Sequence, residues 1–175
     1  MKKFLPLLLL AVLLGACGTH RHDMEFSAGK TAIPASAKYR VEPAEDDTGF
    51  TFDEKEESID IGKAMTDALI LKLREENLYA ENSVGSFAVK PTVTGYEPGN
   101  AFGRWLMPGV GSTKVEVSSA VLDPEQQTIG SIKTRNTVDG GGAFTVGAWK
   151  TVFEDAAEEV VKELKESMGL IAESK

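Results

Sequence analysis

Cys17 is the one side chain of this sequence that combines a reactive atom with a recognisable sequence context. It follows the small residues Gly15 and Ala16, which allow the backbone to enter a peptidase groove. Its thiol can act as the nucleophile in the transfer of a lipid group. Because the chain has a single cysteine, a disulfide within the chain is excluded. We therefore predict that Cys17 is a site of covalent lipidation.

The residues before the cysteine are typical of a cleaved leader. Lys2 and Lys3 form a basic start, and the apolar stretch at 4–14 is shorter than the roughly 20 residues that a bilayer span requires. The sequence Leu-Gly-Ala-Cys at 14–17 resembles a bacterial lipobox. Residues 1–16 are thus predicted to be a lipoprotein signal peptide. The alternative is an ordinary secretory peptide with a chance cysteine.

Lipid attachment would hold the mature chain on a membrane without spanning it. Each buried methylene contributes about 0.8 kcal/mol, so two or more acyl chains give firm attachment. Gly18 follows the cysteine, and in enterobacteria-like sorting an aspartate there would retain a lipoprotein in the inner membrane. For a Gram-negative host, the predicted location is therefore the cell envelope, at the inner face of the outer membrane and facing the periplasm.

Composition and charge exclude several classes of protein. The 175 residues suit one domain, and 42% hydrophobic residues are enough for a packed core. The net charge is −8, and removal of residues 1–16 would leave 17 basic and 27 acidic side chains, a balance of −10. Such a chain lacks the basic surface that nucleic acid requires. It would not adhere to anionic lipid by charge, so the acyl chains must attach it.

The mature chain divides into a tether, a folded body and a tail. Residues 17–36, which contain several glycine, serine and proline residues, are predicted to be the acylated cysteine and a flexible tether. Residues 37–170 are predicted to form a single α/β domain, and residues 171–175 a disordered tail.

Alternating apolar residues within the body indicate strands, which lie at 37–42, 87–94, 114–122 and 129–138. Pro91 cannot donate to a sheet ladder, so its strand is expected at an edge or to be irregular at that point. The fold class predicted from the order of elements is α+β. It comprises a mixed four- to five-stranded sheet with two helices packed on one face, as a two-layer sandwich.

Helical spacing predicts the two helices. The first is capped by Ser58 or Asp60 and ends near residue 77, and Leu71 is expected to widen its buried stripe. The second runs from about residue 145 to Gly169, and Trp149 is expected to begin its apolar face.

The sequence carries no recognisable catalytic motif. His20 and His22 lie near Asp23 and could bind a metal weakly, but they are more simply read as solvated tether positions, and no further histidine completes a site. The glycine run at 140–142 is not followed by the lysine of a phosphate-binding loop. We therefore predict a protein that is not an enzyme and that holds no metal or cofactor.

The segment at 97–111 is unusual because it joins four glycines and two prolines to large apolar residues. One interpretation is a short helical turn tucked against the sheet edge. The other is a docking surface in which Arg104 and Trp105 supply most of the binding energy. The candidate partner-binding residues are Asn100, Phe102, Arg104, Trp105, Leu106 and Met107.

The sequence is similar to a family of bacterial envelope proteins, domain-of-unknown-function family 4410, over roughly residues 37–168. The likeness rests on Gly99-Asn100 with Arg104, on Pro108-Gly109-Val110-Gly111, on the strand through Asp123, on the glycine run with Phe144, and on the alanine- and glutamate-rich final helix. The Leu73-to-Leu78 region also resembles the TolB amino-terminal domain and the curli-secretion lipoprotein. These resemblances imply a mixed sheet carrying helices and a role in the envelope, and they bring no catalytic residues.

The functional hypothesis is a lipid-anchored, non-catalytic interaction module of the envelope. Its partners would be the membrane, through acyl chains on Cys17, and an unidentified envelope protein. The alternative is a lipoprotein that binds a small ligand or an envelope polymer in a pocket between the sheet and the 97–111 segment. A hydrolase with an unrecognised site is a third hypothesis.

Overall fold

The fold was analysed in a computed structural model, which describes residues 33–52, 58–81, 84–99, 111–138 and 148–170, and residues 21–26 by their backbone. The predicted signal peptide, Cys17, His20, residues 100–110 and the predicted tail at 171–175 lie outside these described residues.

Six strands and two helices make up the described part of the chain. The strands are β1 (Arg21–Phe26), β2 (Tyr39–Val41), β3 (Glu45–Asp46), β4 (Phe87–Glu97), β5 (Thr113–Leu122) and β6 (Thr128–Val138). The helices are α1 (Ile61–Glu75) and α2 (Ala148–Ser167).

All six strands belong to one mixed sheet with the order β1-β6-β5-β4-β2, and β3 also pairs with β4. The β4–β5, β5–β6 and β1–β6 pairs are antiparallel, whereas β2 and β3 run parallel to β4. The α+β class is confirmed. The sheet is wider than the predicted four or five strands because β1 and β3 both join it.

Both helices pack on the same face of the sheet. Helix α1 contacts β2, β3 and β4, whereas α2 contacts β5 and β6, and the two helices touch each other. They run parallel, since Lys72 on α1 pairs with Glu158 on α2 and, one turn further along α1, Glu76 pairs with Lys165. The predicted two-layer arrangement is therefore the observed one.

The core lies between the helices and the sheet. Apolar side chains on the helix-facing side of the strands meet the apolar stripes of the helices, and the largest fully buried ones are Tyr39, Phe153, Met65, Leu69, Leu73, Ile129, Ile132 and Leu164. Removal of this apolar surface from water is the main stabilising contribution, at roughly 25 cal/mol per Å².

The predicted tether requires a correction. Residues 17–36 were expected to lack regular structure, but Arg21–Phe26 forms β1 and pairs with β6 over six residues. Ile33 is also buried in the core. The folded body therefore begins well before residue 37, and only three residues lie between Cys17 and β1.

Pro91 lies where the neighbour of β4 changes. Residues 87–89 pair with β2, and residues 92 and 93 pair with β3. Between them, at residues 90 and 91, neither β2 nor β3 is paired with β4. A residue without an N–H group costs no ladder hydrogen bond there. The expected edge position is wrong, because β4 has neighbours on both sides. The pairing of β4 with β5 is regular through Pro91, and the irregularity of this strand lies between Val93 and Gly95.

Candidate functional site

Several chain segments converge on one end of the sheet, which we call the loop end. Strand β4 ends there at Glu97, β5 begins at Thr113 and β6 ends at Val138. Both helices also begin at this end, because α1 follows strands that run parallel to β4 and α2 follows β6. The loop end is therefore the part of the fold where connections rather than paired strands meet solvent.

The two ends of the 97–111 segment, which we call its roots, are held at the loop end by side-chain contacts between residues 97–98 and 113–114. The Thr113 hydroxyl donates to the Pro98 carbonyl at 2.8 Å, and the Lys114 ammonium lies 2.8 Å from a Glu97 carboxylate oxygen. Thr113 is fully buried. The segment between the two strands thus starts and finishes at a fixed position.

A β-bulge directs an aromatic ring into the same region. The register between β4 and β5 shifts between Val93 and Gly95, so that Tyr96 rather than Gly95 faces the helices. Tyr96 then contacts Phe50 and Phe52 and stacks on Phe153 of α2, with ring centroids 5.7 Å apart. A bulge of this kind re-aims a side chain without breaking the sheet.

An open groove lies beside these rings, between the first three turns of α1 and the first two turns of α2. Its volume is about 510 Å³. Its apolar lining comes from Ile59, Ala64, Ala68, Leu71, Trp149 and Phe153, and its charged rim from Asp60, Lys63, Asp67, Lys150 and Glu154. Leu71 is 45% exposed and Trp149 is 38% exposed, so two large apolar side chains meet solvent here.

The exposure of these two residues corrects the sequence prediction. Leu71 was expected to widen the buried stripe of α1, and Trp149 to begin the buried face of α2. Each lies on the side of its helix that faces the groove, where the neighbouring helix does not cover it.

The charged rim of the groove is largely neutralised by local pairs. Lys63 pairs with Asp67, and Lys150 lies 3.8 Å from Glu154. The hydrogen bond from Lys63 to Asp67 raises the pKa of the lysine, which keeps it charged. Two lysines and three acids leave a formal charge of −1. The groove therefore offers apolar contact rather than a strong field of either sign.

Further along the same helix pair lies a cleft of about 270 Å³ that is mainly polar. It is lined by Lys72, Glu75, Glu76, Glu158, Glu159, Val161, Lys162 and Lys165. A hydrogen bond to Glu75 raises the pKa of Lys72, and Glu158 adds to the effect. Because these charges pair across the two helices, the cleft is best explained as a packing contact.

The residues predicted to be functional are not among the described residues that form this site. Cys17, Asn100, Phe102, Arg104, Trp105, Leu106 and Met107 all lie outside the described residues. Of the predicted docking segment, the structure describes only residues 97–99 and Gly111, which lie at the loop end. The docking surface and the tucked turn both stay predictions.

Within the described ranges, no group of three or more histidine, cysteine, aspartate or glutamate side chains is arranged to hold a metal ion. His22 lies on β1, where only the backbone is described. In the same part of the chain, neither helix combines the length and the apolar character that crossing a membrane requires.

A family model for a domain of unknown function, DUF4410, matches residues 26–142, about two thirds of the chain. The chain belongs to this family. The match begins at Phe26, the last residue of β1, and ends after β6, so it includes α1 and strands β2 to β6. The predicted membership is thus confirmed, whereas the resemblance to the TolB amino-terminal domain and the curli-secretion lipoprotein stays a prediction. A comparison with curated proteins gives no match.

Among solved structures, a PelC dodecamer from Paraburkholderia phytofirmans in space group P6 is similar in fold to this DUF4410 chain. It has a TM-score of 0.50 and 13% identity, over 82% of this chain and 97% of the other. A Caulobacter crescentus CB15 protein assigned as a lipoprotein has a TM-score of 0.40 and 13% identity, over 78% of this chain and 89% of the other. At such identities the likeness concerns the fold.

Sequence reasoning missed the groove, although a signal for it was present. Leu71 departs from the helical spacing of the buried residues Ile61, Met65 and Leu69. Trp149 lies in the first turn of α2, at the loop end. An apolar residue that departs from the period of a helix is a candidate for a contact surface.

Proposed function

We propose that this DUF4410 protein is a lipid-anchored, non-catalytic interaction module of the bacterial cell envelope. Acyl chains on Cys17 would hold it at the inner face of the outer membrane, and its folded body would face the periplasm. It would need no cofactor. The observation that carries the proposal is the loop end, where an exposed apolar groove adjoins the firmly held roots of the 97–111 segment.

A contact surface suits this arrangement better than a reaction centre does. The exposed apolar side chains of the groove are Leu71 and Trp149, and Trp is enriched among residues that dominate binding energy. The neighbouring carboxylates pair with lysines or cap a helix, since Asp60 accepts from the Lys63 backbone N–H at 2.8 Å. Paired catalytic acids would instead require burial in a cleft.

The protein partner is proposed to bind at the 97–111 segment, through Arg104 and Trp105 with the neighbouring Asn100, Phe102, Leu106 and Met107. The fold likeness to a protein crystallised as a dodecamer adds further copies of this chain to the partners that a test should detect.

The anchor is tested first. Cys17→Ser should release the protein from the membrane fraction or leave its leader uncleaved, whereas the unaltered chain should sediment with outer membranes. A Cys17→Ser protein that is processed and sediments as before would refute the anchor.

The docking surface is tested by crosslinking in intact cells followed by mass spectrometry. Arg104→Ala with Trp105→Ala should remove the crosslinked envelope protein while the circular dichroism spectrum and the unfolding midpoint stay unchanged. The matched control is Val84→Ala with Leu170→Ala, which trims two exposed apolar residues outside the loop end. Loss of the crosslink in the control alone, or in neither variant, would refute docking at this segment.

The alternative function, binding of a small ligand or an envelope polymer, was expected to use a pocket between the sheet and the 97–111 segment. The groove lies between two helices instead and is open along its length. Ligand sites usually enclose most of their ligand. This geometry favours the interaction module.

A further inference from the structure

We propose that the loop end faces the lipid bilayer and that Trp149, with the apolar groove beside it, contacts the membrane interface. This inference rests on the proposed lipid anchor at Cys17, and it adds a defined orientation and a second, non-covalent membrane contact.

The direction of β1 sets the orientation. Arg21 pairs with Arg135 and Phe26 with Gly130, so the chain before Arg21 heads toward the end of β6 at Val138. That end is the loop end. The acyl anchor is therefore attached to the fold from the side on which both helices begin.

The length of chain between the anchor and β1 restricts where the anchor can reach. Three residues separate Cys17 from Arg21, and the four Cα–Cα steps between them span at most about 14 Å. From the level of Arg135 the loop end at Val138 is about 10 Å away, whereas the other end of β6 at Thr128 is about 24 Å away. The anchor can thus reach the loop end and cannot reach the opposite end.

The side chains exposed near the loop end suit a lipid interface. Trp149, in the first turn of α2, is 38% exposed, and Leu71 lines the same groove at 45% exposure. Tryptophan is favoured at membrane interfaces because its ring is apolar and its indole N–H can meet the polar headgroups. Val84, the most exposed large apolar residue described, lies at the opposite end, just before β4 begins.

The charge around the groove indicates which lipid chemistry is needed. Lys63 and Lys150 each have an acidic partner on their own helix, so no free basic cluster would select anionic headgroups. We therefore expect contact with a zwitterionic phosphatidylethanolamine surface. Because the anchor keeps the groove close to the bilayer, the effective concentration is high, and a weak apolar contact suffices.

The experiment attaches the mature chain to vesicles through its only cysteine. The protein from Cys17 onward, with Trp105→Phe so that Trp149 is the single tryptophan, is coupled by its thiol to a maleimide lipid in phosphatidylethanolamine-rich vesicles. Tryptophan emission is compared between ordinary lipids and lipids brominated near the headgroup. This coupling does not depend on natural acylation, so a failure of the proposed anchor in cells and a failure of this orientation are recorded separately.

The matched control places the single tryptophan, which is the fluorescent probe, at the other end of the molecule. It combines Trp105→Phe and Trp149→Phe with Val84→Trp, which places the single tryptophan on an exposed turn at the end opposite the anchor. We expect brominated lipid to quench Trp149 and to leave the probe at position 84 unquenched. Replacing part of the lipid with anionic phosphatidylglycerol should not increase the quenching of Trp149.

Three outcomes would overturn the proposal. The first is unquenched Trp149 in protein that is coupled to the vesicles and folded. The second is quenching of the probe at position 84 in its place. The third is a blue shift of Trp149 emission that grows with protein concentration in the absence of vesicles, because the groove would then be covered by a second copy of the chain.

Discussion

The rings of Tyr96 and Phe153 stack with their centroids 5.7 Å apart and their planes 16° from parallel. Tyr96 is the penultimate residue of β4, next to the start of the 97–111 segment, and Phe153 lines the groove between the helices. One ring contact therefore connects the two parts of the loop end, and its strength can be measured.

A double-mutant cycle with Tyr96→Leu and Phe153→Leu should give a coupling free energy of about 0.5–1.5 kcal/mol, which is usual for an aromatic pair. The measurement is the free energy of unfolding in urea. The Tyr39–Phe87 pair, with centroids 5.9 Å apart at the other end of β4, provides a comparison. Additive effects for Tyr96 and Phe153 would mean that the rings do not stack in solution.

Gly62→Ala should destabilise the protein by about 1–3 kcal/mol. Alanine normally stabilises a helix relative to glycine. At Gly62, however, a Cβ atom would lie 2.6 Å from the Ala44 carbonyl oxygen, which belongs to the chain between β2 and β3. This chain is also held by a 2.8 Å hydrogen bond from the Ala44 N–H to the Thr66 hydroxyl.

Chemical denaturation measures the effect, with Thr151→Ala on the exposed face of α2 as the control for helix propensity. The control should be neutral or slightly stabilising. A more stable Gly62→Ala protein would show that α1 does not touch the β2–β3 connection.

The stability of the protein should fall steeply at alkaline pH because of Tyr39. Burial raises the pKa of its hydroxyl, so the folded protein keeps a proton that the unfolded chain loses above about pH 10. The resulting stabilisation is complete below that pH. It declines by up to about 1.4 kcal/mol per pH unit as the pH rises toward the folded-state pKa.

Urea unfolding at pH 9 and pH 11 tests this expectation. Tyr39→Phe should lose less stability over this interval than the unaltered protein, because it lacks the buried hydroxyl. Equal losses for the Tyr39→Phe variant and the unaltered protein would exclude Tyr39 as the cause.

Thr134→Val should be neutral or stabilising by up to about 1 kcal/mol. The Thr134 hydroxyl is buried on β6, and among the described residues it has no hydrogen-bond partner. Valine has nearly the same shape and avoids the cost of burying an unpaired polar group.

Thr113→Val is the matched control, because that buried hydroxyl donates to the Pro98 carbonyl at 2.8 Å. Its loss should cost about 1 kcal/mol. Thermal unfolding of both variants gives the comparison, and a destabilised Thr134→Val protein would reveal a partner for that hydroxyl.

Short-range signals made the helices predictable. Asp60 caps α1 through the Lys63 N–H, and Gly169 takes a φ of +69° after α2, as their residue types indicated. The alternation in β5 and β6 was equally clear. Each of these features depends on neighbours within a few positions in the sequence.

Long-range pairings were not predictable in the same way. Arg21–Phe26 contains mostly polar and charged residues, and it becomes a strand because it pairs with β6, which is distant in the sequence. Likewise, Glu45–Asp46 forms the two-residue strand β3 because β4 offers a parallel neighbour. Strand formation at a sheet edge depends on the partner more than on intrinsic propensity.

The candidate site was predicted only in part. The sequence drew attention to the 97–111 segment, whose roots do lie at the loop end. It could not predict that Leu71 and Trp149 would be exposed, because a helical period identifies an apolar face and not the width of the element that covers it. The bulge that turns Tyr96 toward the helices depends on its pairing with β5.

The pairing of β1 with β6 also has a consequence for how the protein matures. The strand that is synthesised first completes the sheet last, since its partner emerges only after nearly all the other strands. Until β6 emerges, β1 has no partner, and its unpaired N–H and C=O groups invite association with other unfinished chains. Such distant pairings slow folding. We therefore expect newly translocated molecules to pass through a period in which they depend on chaperones.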